Sequence, residues 1–149
     1  MDVLDHLEEE HRKVEKMISE LESTNDVAQR HPILADLGDA LATHMAVEEE
    51  RVYPIVDDRL GSDKAREAQR EHDTARDDLA QLVDSADGSD FASALAKFKT
   101  GISHHVQEEE TEIFPQLRQK APDEIAALGD PHQLEDDVEE DLEEQGITP

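Results

Sequence analysis

The sequence predicts an all-α fold: an antiparallel up-down-up-down four-helix bundle, with a short extra helix and an acidic C-terminal tail. Three observations predict it. Apolar residues recur at alternating spacings of three and four over four long stretches, as on the seams of bundled helices. An eleven-residue stretch occurs twice, at His44–Pro54 and His105–Pro115, sixty-one residues apart, so the chain is built from two similar helical hairpins. Charged residues make up 36% and aromatics 3% of the chain, which is lean for a sandwich or an α/β sheet and suits a bundle of Leu, Ile, Val and Ala.

The chain has 149 residues, enough for one domain with a real core. The bundle is expected over residues 1–120, as two repeats of about 1–60 and 62–120, with an acidic extension over 121–149. The first helix is expected over residues 2–24, with Asp2 as N-cap. Its seam reads Leu4, Leu7, His11, Val14, Ile18, Leu21, so His11 points inward with the leucines. His6 falls off that seam and is read as a surface residue.

Asn25 to His31 reads as a polar connection, and Pro32 suits the first turn of a second helix. The second seam runs Leu34, Leu37, Leu41, His44, Glu48. Pro54 should bend or break that helix near Tyr53, after which it resumes to about Leu60 and ends at Gly61. Ser62 or Asp63 is expected to cap the third helix, whose seam is Ala65, Ala68, His72, Ala75, Leu79, Leu82. Its alanines leave room around His72. After the turn Asp87-Gly88-Ser89, a fourth helix with Ser89 as cap carries Phe91, Leu95, Phe98, Ile102, His105 and Glu109 inward, until Pro115 interrupts it. Pro122 to Leu128 forms the short extra helix, closed by Gly129. Beyond it, Leu134, Val138 and Leu142 suit a docked helical stripe, whereas the charge suits a mobile tail.

The core positions carry chemistry. Six ionisable residues, His11, His44, Glu48, His72, His105 and Glu109, sit on the four seams, and the sixty-one-residue offset maps the first three onto the last three. A buried, unpaired carboxylate costs several kcal/mol, and two would sink a domain whose total stability is roughly 5–15 kcal/mol. Metal ions resolve the conflict, because they neutralise carboxylates and use imidazole nitrogens. His-x3-Glu puts both side chains on one helix face, one turn apart. Six ligands, two of them carboxylates, is the count for two metals bridged by the carboxylates. Imidazole and carboxylate without thiolate suit iron first, with manganese or zinc behind it.

Glu49, Glu50, Glu108 and Glu110 lie beside the seams and are read as solvated. His104 is rotated off the seam by roughly 100°. His31 and His132 are read as surface residues, and Tyr53 and Phe114 as caps on the core's end, with Tyr53 within hydrogen-bonding reach of the metals.

There are no cysteines, which excludes thiolate sites, disulfides and cysteine nucleophiles. The net charge of −26 excludes nucleic acid as a natural partner, since phosphates need Lys and Arg patches. No apolar run has membrane-spanning length, so a cytoplasmic protein with no membrane partner is expected. Eleven of the acids fall after Lys120, where there is no Lys or Arg, and this tail is a candidate surface for a protein partner.

On these residues the sequence resembles the hemerythrin-like, or HHE cation-binding, family. The resemblance covers residues 2 to about 120 and rests on Glu10-His11 and Glu71-His72, and on the His-x3-Glu-Glu and aromatic-Pro pattern of 44–54 and 105–115. It implies a four-helix bundle with a non-haem di-iron centre. His11 and His44 would serve one iron, His72 and His105 the other, and Glu48 and Glu109 would bridge them beside an oxo, hydroxo or water bridge. Two positions depart from the oxygen-carrying members: Arg76 stands where they have a further histidine, and Glu109 follows His105 by four residues where they have an Asp at five. The resemblance therefore implies the wider group, linked to iron and oxygen sensing, nitric oxide or peroxide handling, and iron storage. The expected function is binding of iron and of a small ligand, O2, NO or peroxide. The alternatives are a peroxide-decomposing, catalase- or peroxidase-like enzyme and a metal-stabilised, iron-holding bundle. No nucleophile or substrate pocket is legible, so no catalytic residue is assigned.

Overall fold

The computed structural model describes residues 1–145; the last four residues of the acidic extension lie outside it. Among the described residues all regular structure is helical: α1 Val3–Ser23, α2 Val27–Val47, α3 Tyr53–Arg59, α4 Ser62–Asp84, α5 Phe91–Glu108, α6 Phe114–Lys120, α7 Pro122–Ala127 and α8 Pro131–Glu144. One π turn, Glu48–Val52, joins α2 to α3, and another, Glu109–Ile113, joins α5 to α6.

Local chemistry explains most boundaries. Asp2 and Asp5 form a reciprocal capping box on α1, with Asp5 N–H donating to Asp2 Oδ1 at 2.9 Å and Asp2 N–H to Asp5 Oδ2 at 3.3 Å. Asp26 accepts from Ala28 N–H at 2.9 Å and starts α2 five residues before Pro32, so the expected connection of 25–31 shrinks to its first two residues. An N-cap that satisfies an orphan amide outweighs the proline, whose missing donor falls near the helix start. Gly61, at φ +109°, turns the chain into α4, a backbone that L side chains rarely adopt. It takes the N-cap place expected of Ser62 or Asp63, which sit in the first turn instead. Asp90, not Ser89, stands at the N-cap of α5 and makes no side-chain cap bond.

The π turns answer Pro54 and Pro115. A proline removes one ladder bond and crowds the preceding turn. Both turns widen there: Tyr53 N–H reaches back five residues to Glu48, and Phe114 N–H five residues to Glu109. The rod continues without a break, but its inward face slips by one residue. Val52 and Tyr53 are consequently both buried, as are Ile113 and Phe114.

Helix α1 packs on α2 and α5, and α4 packs on α5 and α2, so the four long helices form a bundle. Its core is in two parts. One holds Val14, Ile18, Leu21, Leu37, Leu41, Leu82, Phe98 and Ile102; the other holds Leu4, Leu7, Val52, Val56, Phe114 and Leu117. The break between them falls at one level on all four helices, where the inward residues are ionisable. Within its described residues the acidic extension forms α7 and α8 and docks at this second core: Leu134 and Val138 are buried and Leu142 is partly buried. His132 and Glu135 of α8 meet His6, which is 6% exposed, correcting its expected surface position. The seam of α1 alone carries no trace of α8. Among the described residues no helix is long and apolar enough to cross a membrane.

Candidate metal centre

The six predicted residues meet in the layer between the two apolar cores. His11, His44, His72 and His105 are 1–6% exposed, and Glu48 and Glu109 are fully buried. Their donor atoms fall into two groups capable of holding a metal ion, His11–His44–Glu48–Glu109 and Glu48–His72–His105–Glu109, and both carboxylates belong to both groups. Glu48 Oε1 lies 3.1 Å from Nε2 of His44 and 3.1 Å from Nε2 of His72. Glu109 Oε1 lies 3.1 Å from His11 Nε2, and its Oε2 lies 3.4 Å from His105 Nε2.

Several of these atoms are unsatisfied. His11 Nε2, Glu48 Oε2 and Glu109 Oε1 are buried without a hydrogen-bond partner. The contact between His11 Nε2 and Glu109 Oε1 is close enough for a hydrogen bond but wrongly angled, as for two donors facing a common point. His72 and His105 bring their Nε2 atoms within 3.1 Å of each other. Native cores rarely leave buried polar atoms orphaned, and each costs about 1–3 kcal/mol. A cation shared by these atoms removes the cost.

Each histidine is held from behind. His11 Nδ1 meets Glu110 at 2.6 Å, His44 Nδ1 meets Glu10 at 3.0 Å, His72 Nδ1 meets Glu49 at 2.7 Å, and His105 Nδ1 meets Glu71 at 2.6 Å. An ionised carboxylate only accepts, so Nδ1 carries the proton and Nε2 is the atom offered to the centre. This carboxylate–imidazole pairing is how metal-binding histidines are oriented and made more basic. Arginines brace two of the outer carboxylates: Arg12 reaches Glu110 at 2.5 Å and Arg76 reaches Glu49 at 2.8 Å.

The electrostatics agree. Burial works against the charged form of His44, yet Glu48, Glu10 and Glu109 together push it up to about 10. Burial likewise opposes charge on His72 and His105, and Glu48 with Glu49, and Glu109 with Glu71, raise both. Glu109 is held well below the usual carboxylate range, against its burial, by His105 and its other partners. Without metal, inner imidazole protons answer the carboxylate charge; a bound ion takes their place.

The solvated positions expected of Glu49, Glu110 and Glu108 are corrected. Glu49 and Glu110 are not solvated; they hold His72 and His11. Glu108 is 9% exposed and pairs with Lys64 at 3.1 Å, while Glu50 is exposed as expected. Tyr53 caps the core and also has the hydrogen-bonding reach expected of it. Its hydroxyl donates to Glu109 Oε2 at 2.9 Å and lies 2.9 Å from His72 Nε2 and 3.1 Å from His105 Nε2. The repeat itself held the signal for the outer carboxylates: Glu10 and Glu49 recur as Glu71 and Glu110, whereas Glu50 is matched by Thr111 and Glu108 by Val47. No such signal marks Tyr53, whose mate is Phe114, a ring stacked 6.1 Å from His11. His104, beside His105, points outward, its side chain 70% exposed.

A small cavity of ≈ 20 Å³ borders the four histidines and is otherwise walled by Val14, Leu41, Met45, Ile102 and Val106.

The donor set, its doubled layout and the bundle around it decide the family, and the sequence model described as the Hemerythrin HHE cation binding domain matches residues 2–117. The chain belongs to this family. It is also similar to a protein named DNA nickase from Nostoc sp., at 25% identity over 119 residues. That match covers 79% of this chain and 34% of the relative, so the chain spans about a third of the relative's length. No solved structure matches the chain. For this HHE-family chain, Glu49→Gln is expected to weaken metal binding at the His72 half by roughly 10–100-fold, because the His72 imidazole loses its anionic partner. Glu50→Gln, one residue on, is expected to leave it unchanged. Competition with a metallochromic chelator separates the two.

Proposed function

We propose that this protein is a hemerythrin-like, non-haem di-iron protein of the cytoplasm, binding iron and a small ligand, O2, NO or peroxide, in sensing or in iron and oxidative-stress handling. The four long helices, with their short connections, are read as an antiparallel up-down-up-down bundle. The single observation that carries the proposal is the two-group layout: four Nε2 atoms and two shared carboxylates, with every imidazole anchored through Nδ1. His11 and His44 would hold one iron, His72 and His105 the other, and Glu48 and Glu109 would span both. Six nitrogen and oxygen residues without a thiolate favour iron over a single four-coordinate zinc.

Bound iron supplies redox change and open coordination positions. The protein supplies the rest. Glu10, Glu49, Glu71 and Glu110 keep Nε2 of each histidine aimed inward. The cavity beside the histidines, walled otherwise by apolar side chains, has room for a molecule about the size of water, which suits a small ligand. The acidic surface, at net charge −26, repels phosphate, so the activity named for the Nostoc relative is not transferred.

Metal analysis joined to an ultraviolet–visible spectrum tests the reading. The expected result is about two irons per chain, two being the count the paired sites imply, with a spectrum that changes reversibly when the reduced protein meets O2 or NO. One zinc with a featureless spectrum would overturn it. Tyr53 adds a spectroscopic marker, because the chain has one tyrosine and its oxygen sits among the donors of the His72 half. Tyr53→Phe is expected to shift the visible absorption of the ferric protein, because Glu109 loses the hydrogen bond it accepts from the phenol; an identical spectrum would mean that this bond does not reach the metals. The same phenol favours one second reading, peroxide decomposition, since it offers a proton inside the centre. Burial, and then Glu109, hold Tyr53 well above its usual range, so it keeps that proton. Oxygen release from peroxide that disappears in His72→Ala would select this reading.

A further inference from the structure

A second cluster of ligand-type residues lies outside the centre, where side chains of α8, which packs on α2, meet those of α1. His6 and Glu10 stand one turn apart on α1, and His132 and Glu135 stand one turn apart on α8. His6 Nε2 is 2.5 Å from Glu135 Oε1 and 3.5 Å from Glu10 Oε2. The rings of His6 and His132 meet edge to face, 5.0 Å between centroids. One donor atom from each of His6, His132 and Glu135 lies within 4.8 Å of the others. A tetrahedral zinc site needs donors only about 3.4 Å apart, given metal–ligand bonds of about 2.0–2.1 Å, so small side-chain rotations close it.

Charge points the same way. The Glu10 and Glu135 side chains are 17% and 20% exposed, and among the described residues their ion-pair partners are histidines only. Asp39 and Glu139 line the adjoining surface and add negative charge. The comparable cluster on the other flank, Glu71–His104–Glu108, already has Lys64 3.1 Å from Glu108. Among the described residues no lysine or arginine serves the α1–α8 cluster in that way.

We propose that His6, His132 and Glu135, with Glu10 as fourth donor, form a separate mononuclear site for zinc or a similar divalent cation that staples α8 to the bundle. Two imidazoles and two carboxylates suit a borderline ion better than calcium or magnesium, which prefer all-oxygen sets. Glu10 joins this site to the inner centre, since its Oε1 holds His44 Nδ1 at 3.0 Å while its Oε2 faces His6. The staple rests on its own residues and not on the identity of the inner metals.

Zinc is titrated into the 149-residue chain, and into His132→Ala and Glu135→Gln, after the inner centre has been filled with iron. Bound zinc is counted by mass spectrometry, and hydrogen exchange is followed over residues 131–144. His132 is exposed, so its replacement does not threaten the fold. Wild type is expected to take up one more zinc per chain than either variant, and zinc to slow exchange in α8 about tenfold or more in wild type alone, as a ligand bound only by the docked state must. Equal zinc uptake by wild type and variants overturns the site. Extra zinc that leaves α8 exchange unchanged overturns the staple. Repeating the count in a Glu48→Gln background separates the two readings: a fault in the inner-centre assignment moves the total, whereas a fault here abolishes the difference.

Discussion

Glu48→Gln is expected to lower metal at both halves of the centre together. The carboxylate stands 3.1 Å from one histidine of each group, so its charge serves both ions. The amide keeps the shape and one acceptor oxygen but cannot neutralise a cation, and a buried cation that loses its counter-charge is strongly disfavoured, by about 3–5 kcal/mol. That corresponds to a loss of affinity of roughly two to four orders of magnitude. His11→Ala provides the contrast. His11 belongs to one group only, so its loss should cost one ion and leave the other in place. Counting metal per chain by mass spectrometry after dialysis checks both. Two ions retained by Glu48→Gln, or an equal loss in the two variants, would mean that the carboxylates do not bridge.

Metal removal is expected to lower the melting temperature by about 10 °C or more. Each ion bound only by the native state adds about 4 kcal/mol when its free concentration is a thousandfold over Kd. For a domain of this size each kcal/mol moves the midpoint by about 2–4 °C. The stripped centre also keeps its buried carboxylates among imidazoles and returns His11 Nε2, Glu48 Oε2 and Glu109 Oε1 to their unpaired state. Calorimetry of the metal-loaded and chelator-treated protein measures the shift, and re-addition of iron should restore it. An unchanged midpoint would reject a metal role of any kind, including a merely structural one. Applied to Glu48→Gln, the same measurement should show almost no difference between treated and untreated protein.

Much of this molecule is legible in its sequence, for a specific reason. Helix periodicity is local, so the alternating spacing of Leu4, Leu7, Val14, Ile18 and Leu21 declares which face of α1 is buried, and His11 falls on that face without reference to any other helix. The same holds for His44, Glu48, His72, His105 and Glu109. Internal repetition then sets these residues in matching pairs, and the structure brings all six into one layer.

Contacts between elements distant in the chain were decided only by the tertiary structure. Glu49 and Glu110 look like solvent residues on their own helices, and become partners of His72 and His11 only when another helix presents an imidazole nitrogen to them. Tyr53 reaches the centre because the π turn before Pro54 shifts the inward face by one residue, a slip that a regular 3.6-residue period cannot represent. His6 is buried because α8 returns over it with Glu135, 129 residues later in the chain. The sequence by itself determined four helical seams and the six ionisable residues on them, because both follow from spacing within a single helix. Which histidine each outer carboxylate holds, the phenol's contacts and the α1–α8 cluster were decided by how the helices meet, because a side chain's partner across an interface is not written in the spacing of its own helix.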